Sequence, residues 1–111
     1  MELIDSLHPT PQAWLLTSVL APHCTAFIEK LRCGRYADGT TKKYVAGIAH
    51  FSHWMTQNDL LVQSLDGYAV KRFLNEHLPR CDCPKPVTRV AGDLRAALGH
   101  LLVVLREQGA I

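Results

Sequence analysis

Lys42 and Lys43 follow Gly39-Thr40-Thr41 at the point where the sequence turns helical. The first turn of a helix has free backbone N–H groups and the positive end of the macrodipole, so added cations there are locally unfavourable. Hydroxyls, open N–H groups and lysines together suit an anion, and the common polymeric anion is nucleic acid. Read at about 100° per residue, the helix carries Tyr44, Val45, Ile48, Phe51, Trp54 and Met55 on one arc, which wants a core. The opposite arc carries Lys42, Lys43, Ala46, Ala49, His50, His53 and Gln57, with no carboxylate between Asp38 and Asp59. The expectation is an outward, acid-free flank. Ala46 and Ala49 would leave room for a partner, and His50, His53 or Gln57 would read base edges. A plain solvated helix face is the alternative.

The other residues with possible chemistry are the four cysteines, Cys24, Cys33, Cys81 and Cys83. Without a secretory signal, reduced thiols are expected rather than disulfides. Cys81-Asp82-Cys83 is the one close pair, and its spacing departs from the two-to-four-residue spacing of common zinc sites. Cys81, Cys83, His77 and Cys33 form a conceivable ligand set, but no metal and no cofactor are expected. The six histidines are scattered and the carboxylates single, so no catalytic constellation emerges and this chain alone is expected to catalyse nothing.

At 111 residues the chain is one domain with room for a real core. Net charge is only +2, so any nucleic-acid contact must come from a local patch. Glu2 and Asp5 stand where a signal peptide would be basic, and Pro9, Pro11 and Pro22 interrupt the first apolar residues. The longest apolar run, Leu101 to Leu105, falls well short of the roughly 18 residues that span a bilayer. A cytoplasmic chain without membrane contact is expected.

Helix formers dominate, and Val and Ile do not alternate, so the class is all-α. Residues 1–18 read as a loosely attached arm, with a short helix near Thr10-Pro11 and Trp14 or an apolar segment folded back on the bundle. Residues 19–111 form the helical domain. A first helix runs from Ala21 or Pro22 to Cys33, stopped by Gly34. A second, capped by Thr40 or Thr41, ends near Gln57. A third, capped by Asp66, buries Val70, Phe73, Leu74 and Leu78 and ends at Pro79. A fourth runs from Val87 to Gln108 with Gly109 as terminator, burying Val87, Val90, Leu94, Ala97, Leu98, Leu101 and Leu105. Gly92, Ala96, Gly99 and Val103 line up beside that stripe. Glycines inside a helix cost roughly 1 kcal/mol each, and close approach of a neighbouring helix is the expected reason. Tyr44 and Tyr68 read as core or boundary aromatics. The architecture expected is a compact four-helix bundle, five with the short N-terminal helix.

The runs Leu31-Arg32-Cys33-Gly34-Arg35-Tyr36, Thr40-Thr41 with Tyr44, His50-Phe51-Ser52-His53-Trp54 and Val70-Lys71-Arg72-Phe73-Leu74 carry a family resemblance. So do Arg95-Ala96-Ala97-Leu98-Gly99-His100-Leu101-Leu102 and Leu105-Arg106-Glu107-Gln108-Gly109. Over residues 20–111 the chain resembles the N-terminal core-binding, SAM-like domain of tyrosine recombinases of the phage-integrase family. Its motifs are mostly hydrophobic spacing with a few fixed aromatic and hydroxyl positions. The resemblance implies a helical bundle that grips one face of a recombination site in double-stranded DNA. A separate C-terminal catalytic domain would carry the nucleophilic tyrosine, and other recombinase protomers would assemble on paired sites. It makes Thr40, Thr41, Lys42 and Lys43 phosphate and groove contacts, with Arg35 and Tyr36 before them, and Lys85, Arg89 and Arg95 further candidates. His77-Leu78-Pro79-Arg80 matches the family's histidine-x-x-arginine element in letters only, because it lies inside the binding domain. The alternative function is a helical protein-interaction domain without DNA binding, built on the small-residue strip and the apolar arm.

Overall fold

The computed structural model describes residues 6–84 and 87–111. Five α-helices follow one another: α1 Pro9–Leu16, α2 Cys24–Cys33, α3 Asp38–Gln57, α4 Gly67–Arg72 and α5 Ala91–Glu107. There is no strand among the described residues, and no helix there is long and apolar enough to cross a membrane. The all-α expectation holds, with the short N-terminal helix present.

The 20-residue α3 is the axis, about 30 Å long at 1.5 Å per residue. It is packed by α1, α2 and α5 and by the end of α4. Neighbours on so many sides bury Thr41, Ala49, His50 and Ser52 along with the apolar arc, so the second arc is not the open flank expected from its spacing. α5 packs against α3 at Gly47, where a Cβ would stand 3.4 Å from both Ala97 Cβ and Leu94 Cδ2. Gly92 and Gly99, expected to admit a neighbouring helix, would meet nothing within 4 Å. The small-residue strip of α5 faces away from the bundle.

The described part of the N-terminal arm, from residue 6 on, packs into the core. Pro9 opens α1, as its fixed φ and missing N–H favour, and Leu7, Pro11 and Leu15 are buried. Trp14 stacks on His53 of α3 with ring centroids 4.0 Å apart. Over the described residues the segment folds back on the bundle.

Three helices end in paired backbone bonds of the Schellman type. Tyr36 N–H reaches Leu31 O after α2, Leu60 N–H reaches Met55 O after α3, and Ala110 N–H reaches Leu105 O after α5. Each motif needs one left-handed residue. Gly109 supplies it with φ +71°, as expected, but Arg35 (φ +63°) and Asp59 (φ +53°) supply the other two. Gly34 is not the left-handed stop; it makes room for Tyr36, whose ring would lie 3.2 Å from a Cβ there.

Asp66 caps α4 as expected, its Oδ1 accepting from Ala69 N–H at 2.9 Å. The helix then departs from regular α geometry. Phe73–His77 is a π-helical turn and Leu78–Arg80 a 3-10 turn, so the chain passes through Pro79 before leaving the helix. Phe73 is fully buried, whereas Val70, Leu74 and Leu78 are only partly covered. Tyr68 is exposed rather than a core aromatic.

Residues 87–90 are outside any helix, with Val90 extended, and α5 begins at Ala91, not Val87. Val90 is consequently exposed, while Leu94, Ala97, Leu98, Leu101 and Leu105 form the buried stripe.

Candidate functional site

The exposed start of α3 carries Lys42 and Lys43, two of the residues expected to meet DNA. Ala37 precedes the helix and provides no side-chain cap, so the first N–H groups are left without a capping side chain. Lys42 and Lys43 are exposed beside them. Lys43 Nζ lies 3.9 Å from Asp93 Oδ2, at the outer limit of an ion pair with more than half of the lysine side chain in solvent. Such a pair holds the lysine only weakly. Both lysines line a groove of about 420 Å³ between α1, α3 and residues 87–88.

Arg35 and Tyr36 approach the same end from α2. Arg35 is exposed. The Tyr36 hydroxyl lies 3.2 Å from His100 Nε2 of α5, and its ring meets Tyr44 and His100 edge-on. These contacts, with Lys43–Asp93, join the end of α2, the first turns of α3 and the middle of α5. Arg95 is exposed on α5, next to the uncovered glycines.

Several candidates stand elsewhere. Thr40 is half-buried, and Thr41 is fully buried with its hydroxyl donating to Ala37 O at 3.1 Å. That bond occupies Thr41 within its own helix, so it is neither the cap nor a surface contact. His50 is fully buried and cannot read a base. His53 is half-buried under Trp14, and burial lowers its pKa. Gln57 is exposed, but about 22 Å along the helix from Lys42 at 1.5 Å per residue. Arg89 is exposed and donates to Cys83 O at 3.1 Å. Lys85 lies outside the described residues.

A second constellation, centred on His50, was not legible as such in the sequence. His50, His77, Cys81 and Cys83 bring one side-chain donor atom each to within 4.8 Å of one another. His50 Nε2 is 3.4 Å from His77 Nε2 and 3.3 Å from Cys81 Sγ, and Cys83 Sγ is 3.6 Å from His77 Nε2. His50 and Cys83 are buried, and the other two are half-buried. Burial drives the His50 pKa down to about 4, against the hydrogen bond to Thr88 that raises it. Burial likewise pushes the Cys83 thiol up to about 12, helped by Cys81 beside it. Burial also raises Cys81, but hydrogen bonds from Cys83 and Arg89 outweigh it and leave that thiol below its ordinary value.

Cys33, the fourth ligand of the set conceivable from sequence, is exposed at the end of α2 and takes no part in this cluster. His50 takes its place from 27 residues before His77 in the chain. The signal that could have pointed to it is a histidine in the middle of a helix otherwise wholly occupied with the core. No protein-family model, curated protein or solved structure matches this chain.

Proposed function

We propose that this chain is a DNA-binding module of the kind that grips one face of a recombination site for a tyrosine recombinase. The observation that carries the reading is the exposed, uncapped start of α3 with Lys42 and Lys43 projecting from it. Helix N–H groups and lysines would contact phosphates, and Arg35 and Arg95 would extend the positive surface. Asp38 in the first turn and Asp93, 3.9 Å from Lys43, offset part of this charge, which suits a weak, salt-dependent grip. The uncovered glycines of α5 support the same reading, since no packing among the described residues accounts for them and their bare backbone would let a duplex approach closely. Strand cleavage and joining are assigned to a separate C-terminal catalytic domain, and other protomers on paired sites are the further partners. With His50 and Thr41 buried, sequence readout by α3 is minor and phosphate contact dominates.

Chemical-shift mapping with a short duplex tests this placement. The amides of residues 35–43 and those around Arg95 should shift, while those of Leu16 and Leu61 stay still. Shifts confined to Leu16, Val19 and Leu61 would contradict it. Those three apolar side chains are exposed, and they are the feature that favours the second reading, a helical protein-interaction domain.

A further inference from the structure

We infer that His50, His77, Cys81 and Cys83 bind one Zn²⁺ ion, which fastens the link between α4 and α5 to the centre of α3. The inference is independent of DNA binding.

The spacings carry it. With Zn–N of about 2.0–2.1 Å and Zn–S of about 2.3 Å, the edges of a tetrahedral N₂S₂ site are about 3.3–3.8 Å. Three of the six donor separations are 3.4 Å between the histidine nitrogens and 3.3 and 3.6 Å between sulfur and nitrogen, and all six fall within 4.8 Å. Hydrogen bonding explains this convergence poorly. His50 Nδ1 faces the Thr88 carbonyl at 2.8 Å and must carry a proton to donate to it. The Nε2 of the neutral ring then has one lone pair, yet both an imidazole nitrogen and a thiol crowd it. A metal ion gathers all four lone pairs at once. The Thr88 bond is also what a metal-binding histidine uses to fix its tautomer and ring orientation.

The local chain geometry brings the ligands to one point. The π-helical turn Phe73–His77 displaces His77 from the regular α register, and such turns gather at functional sites. Cys81 is extended, with φ −67° and ψ 122°, and in extended chain residues i and i+2 point the same way. The one-residue Cys-x-Cys spacing therefore suits two ligands on one ion. Arg89 donates to the Cys83 carbonyl, a further tie on the ligand-bearing segment. Four protein ligands close the coordination shell, which makes the site structural rather than catalytic. Binding converts both thiols to thiolates and releases two protons to solvent.

Native mass spectrometry and metal analysis of the full chain, purified without a histidine tag from zinc-containing medium, should find one zinc per chain. The Cys81→Ser/Cys83→Ser variant should lose it, and Cys33→Ser should keep it. Because replacing both thiols can itself unfold the chain, a second measurement uses the unaltered protein. After chelation under reducing conditions, added Co²⁺ should give the intense visible bands of a tetrahedral thiolate complex, saturating at one equivalent and bleached by Zn²⁺. A metal-free protein whose Co²⁺ spectrum stays weak and octahedral, or zinc retained by the double serine variant, overturns the inference.

Discussion

His50 Nδ1 donates to the Thr88 carbonyl oxygen at 2.8 Å, tying the middle of α3 to the non-helical segment before α5. This bond explains why α5 starts at Ala91: a helix begun at Val87 would draw the Thr88 carbonyl into its own ladder. His50→Ala removes the donor and opens a void in the core. It should lower unfolding free energy by about 2–4 kcal/mol, read from urea denaturation in chelator so that metal plays no part. A loss below half a kcal/mol would show that the bond does not anchor the segment.

Phe73 is the aromatic hub of the same region, with ring centroids 5.1–5.6 Å from His50, Phe51, Trp54 and His77. Phe73→Ala should destabilise the fold by about 3–5 kcal/mol. The neighbouring exposed change Tyr68→Ala should stay within about 0.5 kcal/mol. Denaturant midpoints of the two variants check the contrast.

Asp59 holds a left-handed backbone after α3, a conformation that costs an L-residue roughly 1–2 kcal/mol. Asp59→Gly should raise stability by up to about 1 kcal/mol, moving the melting temperature up by about 4–8 °C. Gly109→Ala should move it down, because Gly109 is in the same conformation without strain. A scanning calorimetry comparison reads both signs.

Cys24 is buried against Leu20, and burial raises its pKa from 9.0 to about 11. Below pH 9 both folded and unfolded chains keep this proton. Between pH 9 and 11 the unfolded chain loses it first, so stability falls as pH rises through that window. Urea unfolding of the unaltered chain and of Cys24→Ala at pH 8 and near pH 11 should show a smaller pH loss in the variant. Exposed Cys33 should meanwhile react with a thiol reagent far faster than Cys24 in the folded protein.

Much of the fold was legible where a local rule met no competitor. The Asp66 cap, the Gly109 terminator and the Leu94–Leu105 stripe follow from side-chain chemistry within one turn. The misreadings share one cause, which is tertiary packing. Periodicity divides a helix into an inner and an outer arc, but α3 is wrapped on several sides, so His50 sits inside although it lies opposite Val45 and Ile48. Thr41 is helical from within, because the chain enters α3 at Asp38 and not at the hydroxyls. Three of the four zinc ligands, His77, Cys81 and Cys83, were legible as a conceivable set, and His50 escaped because it lies 31 residues before Cys81. The lysines at the start of α3 were legible, since solvated charge at a helix end requires no long-range contact.

The central claim is tested most directly by the slope of log affinity for a duplex against log salt concentration, measured for the unaltered chain and for Lys42→Ala/Lys43→Ala. Each lysine on a phosphate contributes about one unit of slope. The account predicts a steep dependence that shallows by about two units in the double variant, with weaker binding at every salt concentration. Equal slopes and equal affinities for the two proteins would contradict it.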